Sequence, residues 1–160
     1  MSAIREAGKA DIPLLVLQHR MMFEEIRALM QKSPDPAKLA AMDECYREKL
    51  LGQLSTPACA AFLAVEGGHA AGSVGVSIVS MVPVPEDPQD RVAYIHSLYV
   101  EKAFRSRGIA RGLMSRAVDH CRALGIVRVQ LAASAAGKPL YESMGFAPLF
   151  QAMGLRLYPS

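Results

Sequence analysis

A strand, a basic turn, an amphipathic helix and a second strand follow one another between residues 91 and 132, and this order limits the fold most strongly. Residues 91–100, RVAYIHSLYV, are rich in β-branched and aromatic side chains, which is typical of a buried strand. Apolar residues then recur at helical spacing from Gly108 until Gly125 ends the helix. The apolar residues of 126–132 predict the second strand.

The rest of the chain adds predicted helices and strands around this unit. Helices are predicted over 11–30, 37–52 and 136–143, and strands over 3–6, 58–65, 70–81 and within 146–158. A chain of 160 residues can bury one core of ordinary size, so residues 1–160 are predicted to form a single domain. The mixture predicts an α/β fold with a central mixed sheet and helices on both faces.

The composition predicts a globular cytoplasmic protein. Hydrophobic residues make up 51% and charged residues 21%, which is close to the globular average and argues against a disordered chain. The net charge of +3 is too small to indicate a nucleic-acid partner by itself. No apolar run approaches the roughly 18–20 residues needed to span a bilayer. The three cysteines have no CxxC spacing, which predicts reduced thiols.

The basic turn over residues 100–110, VEKAFRSRGIA, has the features of an anion-binding site. Free backbone N–H groups at a helix N-terminus favour an anion together with the helix dipole. Gly108 lets the backbone approach that anion closely and tolerates a positive φ. Arg105, Arg107 and Arg111 add positive charge where a diphosphate would lie. The turn matches neither GxxxxGK[ST] nor GxGxxG, so neither a P-loop nor a dinucleotide fingerprint is predicted.

Two segments together resemble the GNAT superfamily of N-acetyltransferases. The basic turn has the form R-x-x-G-x-A after a strand ending in valine, similar to the superfamily's R/Q-x-x-G-x-G/A. Residues 134–146, SAAGKPLYESMGF, resemble its later motif N-x-x-A-x-x-L-Y-x-x-x-G-F. Ala110 and Ser134 replace the commoner glycine and asparagine. The resemblance is specific over about 91–149 and only architectural over 1–90.

This resemblance implies acetyl-CoA as the co-substrate and no metal. The strand ending at Val100 would separate from its neighbour and bind the pantetheine arm through main chain, with the Leu98 N–H as oxyanion donor. Tyr141 would protonate the coenzyme A thiolate; the alternative is a core tyrosine with a bonded hydroxyl. The residues implied to bind the cofactor are Leu98, Tyr99, Val100, Arg105, Ser106, Arg107, Gly108, Ile109, Ala110, Arg111, Ser134, Lys138 and Tyr141.

The general base has less support in the sequence. His96 and Tyr94 lie two apart on one strand, so both side chains are predicted to face the same side. They resemble the positions where GNAT enzymes deprotonate the amine, although a buried neutral histidine bonded to a carbonyl would produce the same pattern. Glu24 and Glu25 on the first helix would attract a cationic acceptor or simply form a solvated face. His19 is predicted to be a core histidine.

Three functions remain open at this point. The preferred one is transfer of an acetyl group, by direct attack in a ternary complex, to a primary amine of a small molecule or a protein. Acyl groups other than acetyl are compatible with the motifs. A coenzyme A-binding regulatory domain without transfer activity is the alternative, and a nucleic-acid-binding module is disfavoured because a phosphorylated cofactor already explains the arginines. The resemblance also suggests a homodimer, with the exposed edge of the last strand available for pairing.

Overall fold

A computed structural model describes residues 2–149 and 152–158. Its helices are α1 (Ile12–Leu29), α2 (Pro36–Gln53), α3 (Ile109–Ala123) and α4 (Lys138–Ser143). Its strands are β1 (Ala3–Glu6), β2 (Cys59–Glu66), β3 (His69–Ser80), β4 (Arg91–Val100) and β5 (Arg128–Gln130), and short 3-10 turns occupy Lys9–Asp11 and Lys102–Phe104. The predicted α/β fold with a mixed sheet is therefore confirmed.

One sheet of five strands, in the order β1-β2-β3-β4-β5, forms the centre of the fold. The first four strands pair antiparallel, whereas β5 runs parallel to β4 and is connected to it through α3. The predicted hairpin between β2 and β3 is confirmed. Its turn residues Gly67 and Gly68 have φ values of 59° and 78°, which glycine adopts without steric cost.

Both faces of the sheet are buried. Along β2, Ala60, Phe62 and Ala64 belong to the core cluster that includes α3. The alternate residues Ala61 and Leu63 belong to a second cluster with α1 and α2. Helices on both faces explain why β2 reads as a continuous apolar run in the sequence.

Helix α2 begins where the sequence indicated a break. Pro36 occupies the first turn, where its missing N–H costs nothing, and the Asp35 carboxylate accepts a hydrogen bond from the Ala37 N–H at 2.9 Å. In α3, Cys121 is fully buried, as its place on the apolar face predicted, and burial raises the pKa of its thiol to about 11.

A β-bulge interrupts the pairing of β4 with β3. Gly75 lies opposite His96 and Ser73 lies opposite Tyr99, so two residues of β4 face one residue of β3. Ser97, inside the bulge, has a φ of 58°, a conformation that non-glycine residues rarely adopt. The bulge breaks the alternation of side chains along β4 at this point.

The final strand predicted within 146–158 is wrong for the part that the structure describes. Residues 146–149 and 152–158 contain no strand. The alternating Met153, Leu155 and Leu157 are 98%, 84% and 86% exposed, so they have no face on which to pack. An alternating pattern stabilises a strand only when one face is buried against a partner. The homodimer suggested through this strand stays a prediction.

Candidate functional site

The strands β4 and β5 separate halfway along β4. Their parallel pairing runs through Val92↔Arg128 and Ala93↔Val129 and ends at Tyr94↔Gln130. Residues 95–100 of β4 continue beyond that point without a strand of the described chain on this side. The predicted separation of this strand from its neighbour is present, and it opens a gap in the sheet.

Backbone groups at the end of β4 face this gap. The Glu101 N–H bonds to the Ala71 carbonyl at 2.9 Å while Val100 lies opposite Gly72, so Val100 forms a non-hydrogen-bonded pair with β3. The N–H and C=O of Val100 therefore point away from β3. The Val100 carbonyl already accepts a hydrogen bond from Arg105 Nε at 2.8 Å. The main chain of Tyr99 points to β3.

The N-terminus of α3 lies just beyond the end of β4 and is uncapped. Gly108 occupies the N-cap position with a φ of 77°, and no side chain caps the helix. The first backbone hydrogen bond of the helix runs from the Gly112 N–H to the Gly108 carbonyl at 3.0 Å. The N–H groups of residues 109–111 therefore have no acceptor within the helix. A Cβ on Gly108 would meet no atom within 4 Å, so the space in front of these groups is open.

Carboxylates and hydroxyls of other elements hold the three arginines of the turn. Glu25 of α1 accepts from Arg105 at 2.7 Å, and Glu66 of β2 accepts from Arg107 at 2.8 Å. Arg111 donates to the Ser143 hydroxyl at 2.6 Å. Each contact restricts an exposed guanidinium near the helix N-terminus, and the side chains remain 42% exposed in Arg105 and 53% in Arg107. Ser106, between them, has a φ of 62°.

Helix α4 presents Tyr141 through a defined C-terminal motif. Gly145 has a φ of 93°, its N–H bonds to the Glu142 carbonyl, and the Phe146 N–H bonds to the Tyr141 carbonyl, both at 3.0 Å. This pair of bonds is a Schellman motif, and the Phe146 ring contacts the Tyr141 ring edge-on at a centroid distance of 6.1 Å. The spacing Y-x-x-x-G-F therefore follows from local structure: the Schellman motif that ends this short helix needs glycine directly before the phenylalanine that contacts the tyrosine.

The Tyr141 side chain is partly buried in the core cluster that includes α3, and its hydroxyl forms no hydrogen bond with the described residues. Burial of the ring raises the pKa of Tyr141, which keeps the phenol protonated at neutral pH. Beside it, Ser134 accepts from the Gly137 N–H at 3.2 Å. Lys138 is exposed and lies 3.6 Å from the Glu142 carboxylate.

Both ring nitrogens of His96 lie within hydrogen-bonding distance of serine hydroxyls. Its Nε2 lies 2.9 Å from Ser77 Oγ and its Nδ1 lies 2.8 Å from Ser97 Oγ. Burial lowers the pKa of His96 to about 4, so the ring is neutral at pH 7. The sequence left two interpretations of His96, a group that deprotonates the amine or a buried neutral histidine bonded to a carbonyl. The environment matches the second interpretation, except that the partners are serine hydroxyls and not a carbonyl. Tyr94 lies on the same side as predicted, 37% exposed, with its ring centroid 6.2 Å from that of His96.

The sequence did not indicate three residues that lie close to His96 in the structure: His19, Tyr46 and Ser97. His19 of α1 places its Nδ1 2.8 Å from Ser97 Oγ, and its ring packs on Tyr46 of α2 at a centroid distance of 4.2 Å. Neighbours on an undistorted strand face opposite sides, so the pattern could not reveal that His96 and Ser97 share a face. The positive φ of Ser97 in the bulge places them together.

Glu24 and Glu25 line one cavity of about 530 Å³, together with Met21, Ala28, Tyr99, Glu101, Lys102 and Ala103. Glu24 is exposed, whereas Glu25 accepts hydrogen bonds from the Tyr99 hydroxyl at 3.2 Å and from Arg105. Glu25 therefore connects α1 to the basic turn. Elsewhere in the described chain, no three His, Cys, Asp or Glu side chains converge as metal ligands, and no helix is long and apolar enough to cross a membrane.

Comparison with known proteins identifies relatives of the same architecture. The model of the acetyltransferase (GNAT) family matches residues 23–146. A GCN5-related N-acetyltransferase from Ralstonia eutropha is 30% identical, with 98% of this chain and 99% of that chain covered and a TM-score of 0.85. No curated protein matches this chain.

Two further structures share the fold at lower identity. A predicted acetyltransferase from Clostridium acetobutylicum, solved with acetyl-CoA, is 23% identical over 98% of this chain and 96% of that chain, with a TM-score of 0.83. A glucosamine-6-phosphate N-acetyltransferase from Arabidopsis thaliana is 18% identical over 99% and 98%, with a TM-score of 0.61.

Proposed function

Because the chain belongs to the acetyltransferase (GNAT) family, we propose that it transfers an acetyl group from acetyl-CoA to a primary amine by direct attack in a ternary complex. The observation that carries this proposal is the gap between β4 and β5, which ends at the uncapped N-terminus of α3. Free backbone groups along an open strand edge and an anion site at its end match a chain-like molecule with a diphosphate.

Residues of this chain fit acetyl-CoA at each part of that surface. The free N–H groups of residues 109–111, with Arg105, Arg107 and Arg111 around them, would bind the diphosphate. The Leu98 and Val100 N–H groups would bind the pantetheine arm, and Ser134 and Lys138 would make further contacts with the cofactor. When bound, acetyl-CoA supplies the thioester whose acyl group is transferred.

Two groups of the chain would handle charge during transfer. The Leu98 N–H would donate to the oxyanion that develops on the acyl oxygen. Tyr141 would give its proton to the leaving thiolate, because burial raises the pKa of its hydroxyl and keeps it protonated at neutral pH. Holding both substrates in line would contribute much of the remaining rate enhancement.

The acceptor class follows from chemistry and charge. An alkyl amine with a pKa of about 10.4 is neutral in only about one molecule in two thousand at pH 7, so the enzyme must remove a proton before attack. Glu24, Glu25 and Glu101 around the cavity of about 530 Å³ favour a cationic amine near α1. The proposed acceptor is therefore a cationic primary amine of a small molecule or an exposed protein side chain.

The test combines binding and turnover of the wild-type protein. Calorimetry with coenzyme A should show binding, and acetyl-CoA with a panel of primary amines should release free thiol in proportion to amine added. Binding without thiol release on any amine would favour the alternative, a coenzyme A-binding regulatory domain. Folded protein that gives no heat with coenzyme A would refute both functions.

A further inference from the structure

A chain of hydrogen bonds crosses the sheet face beneath α1 and α2. It connects His19 Nδ1 to Ser97 Oγ at 2.8 Å, Ser97 Oγ to His96 Nδ1 at 2.8 Å, and His96 Nε2 to Ser77 Oγ at 2.9 Å. Ser77 and Ser97 are buried. The chain thus runs from the helical layer through β4 to β3, and the outer nitrogen of His19 is at one of its ends.

The hydrogen-bonding states of the two histidines depend on each other. The Ser97 hydroxyl has one hydrogen and lies within bonding distance of two Nδ1 atoms, so at most one ring accepts from Ser97 and at least one ring donates to it. In one arrangement His19 donates through Nδ1–H, Ser97 donates to His96 Nδ1, and His96 donates through Nε2–H to Ser77. In the opposite arrangement every bond is reversed and His19 carries its hydrogen on Nε2.

The two rings differ in what they can offer a substrate. Both nitrogens of His96 are bonded to serine hydroxyls, so no lone pair is free. His19 Nε2 forms no hydrogen bond with the described residues, and the His19 side chain is only partly buried. Only His19 can receive a proton without breaking the chain.

His19 is also connected to the strand that carries the proposed reaction centre. Ser97, its partner, directly precedes Leu98, the proposed oxyanion donor. One hydrogen bond therefore connects the His19 ring to the residue adjoining the oxyanion donor. The ring is held in place by Tyr46 on one side and by Phe23 at a centroid distance of 5.0 Å.

We propose that His19 is the general base that deprotonates the acceptor amine, with Ser97 and His96 as positioning residues that keep its Nε2 lone pair free. This inference rests on the proposed acetyl transfer. One proton of the cationic amine passes to Nε2, and the freed electron pair forms the new N–C bond. The C–S electron pair leaves on sulfur, which takes a proton from Tyr141. The second proton lost by the nitrogen goes to solvent, from which the Tyr141 phenolate is reprotonated, and His19 returns its proton to solvent.

The charges around the chain support this division of roles. Burial lowers the pKa of His19, while the Asp43 carboxylate of α2, paired with Arg20 at 2.8 Å, opposes that decrease. For His96, burial, His19 and Lys49 all act in the same direction and lower its pKa. Tyr46 adds no charge at neutral pH, because burial raises its pKa to about 12.

The tautomers can be measured without any activity. In ¹⁵N-labelled protein, imidazole ¹⁵N–¹H correlations above the histidine titration range should show His19 protonated at Nδ1 and His96 protonated at Nε2. The reverse pattern, with His19 protonated at Nε2, would overturn the inference, because the proton-accepting lone pair would then be committed to Ser97.

The kinetic test uses variants that separate the base from its support. His19→Asn keeps an N–H donor for Ser97 but removes the base, so kcat at pH 7 should fall about 10²-fold. Coenzyme A affinity should stay unchanged. The deficit should shrink as pH rises toward the amine pKa of about 10.4, because free amine then needs no base. The matched control is His120→Asn, a histidine in the last turn of α3 that packs against Phe62, which should behave as wild type.

Ser97 provides a second pair of variants. Ser97→Ala and Ser97→Gly both remove the hydroxyl, but only glycine tolerates a φ of 58° without strain. Equal losses of kcat in both, with altered pH profiles, would support the positioning role, whereas a loss in the alanine variant alone would assign the effect to the backbone and overturn it.

Failure of the inference and failure of the proposed function give different results. A wild-type protein that releases thiol, together with a His19→Asn variant of equal kcat and pH profile, would overturn the base assignment alone. A wild-type protein that releases no thiol with any amine would refute the proposed function and the base role with it. In both cases the tautomer measurement still decides how the chain is arranged.

Discussion

Replacing Gly108 by alanine tests the anion site at the N-terminus of α3, and Gly125 supplies a matched control. Both glycines flank the same helix with φ values of 77° and 70°, and an added Cβ would meet no atom within 4 Å at either. Each substitution should therefore cost a similar folding free energy, about 1–2 kcal/mol for a left-handed alanine. Position 108 is the N-cap of α3, beside the free N–H groups of residues 109–111, whereas position 125 lies past the other end of the helix.

The expected binding loss follows from those hydrogen bonds. One hydrogen bond to a charged group contributes roughly 1.5–3 kcal/mol, so losing one diphosphate contact should weaken coenzyme A binding roughly 10- to 150-fold. Calorimetry at 25 °C on Gly108→Ala, Gly125→Ala and wild type measures this directly, and thermal melts verify that both variants are folded. Equal affinity in all three proteins, or equal weakening in both variants, would refute an anion site at this helix end.

Two other perturbations address turnover and stability. Tyr141→Phe should lower kcat about 10²-fold with unchanged coenzyme A affinity, and unchanged turnover and pH profile would remove Tyr141 from the mechanism. Asp87 is buried and bonded to Arg128 at 2.7 Å, which holds the pKa of its carboxyl below the ordinary value. Its contribution to stability is therefore present above the unfolded pKa of about 3.9 and lost as pH falls through the folded value. Asp87→Asn should lower Tm at pH 7 and flatten the decrease of Tm between about pH 5 and pH 3; an unchanged slope would contradict this assignment.

Local chemistry explains which parts of the site could be predicted. Gly108, the arginines around it and the Y-x-x-x-G-F segment act within a few residues of one another, because helix ends are satisfied or left open by their immediate neighbours. The residues themselves therefore predicted a helix with free N–H groups next to arginines, whereas the tyrosine of α4 and the separation of β4 from its neighbour followed from the resemblance to the family. Helix and strand positions were predicted within a few residues for the same reason, except for the last strand.

The surroundings of His96 could not be predicted, because their contacts join distant parts of the chain. His19 and Ser97 are 78 positions apart, and Glu25 and Arg105 are 80 apart. A strand pattern assigns neighbouring side chains to opposite faces, and nothing in it marks a residue that will adopt a positive φ. The sequence accordingly left open whether His96 accepts a proton or is a buried neutral histidine, and in the structure both of its nitrogens contact serine hydroxyls.

The sequence alone determined the order of elements, the anion-binding turn and the motifs that place this chain in its family, since each depends on neighbouring residues. Tertiary structure decided the face on which each side chain lies and the partners of the arginines. It also decided that the alternating residues in 152–158 form no strand. Strand register and burial depend on contacts between remote segments, and a bulge of one residue is enough to reverse a face.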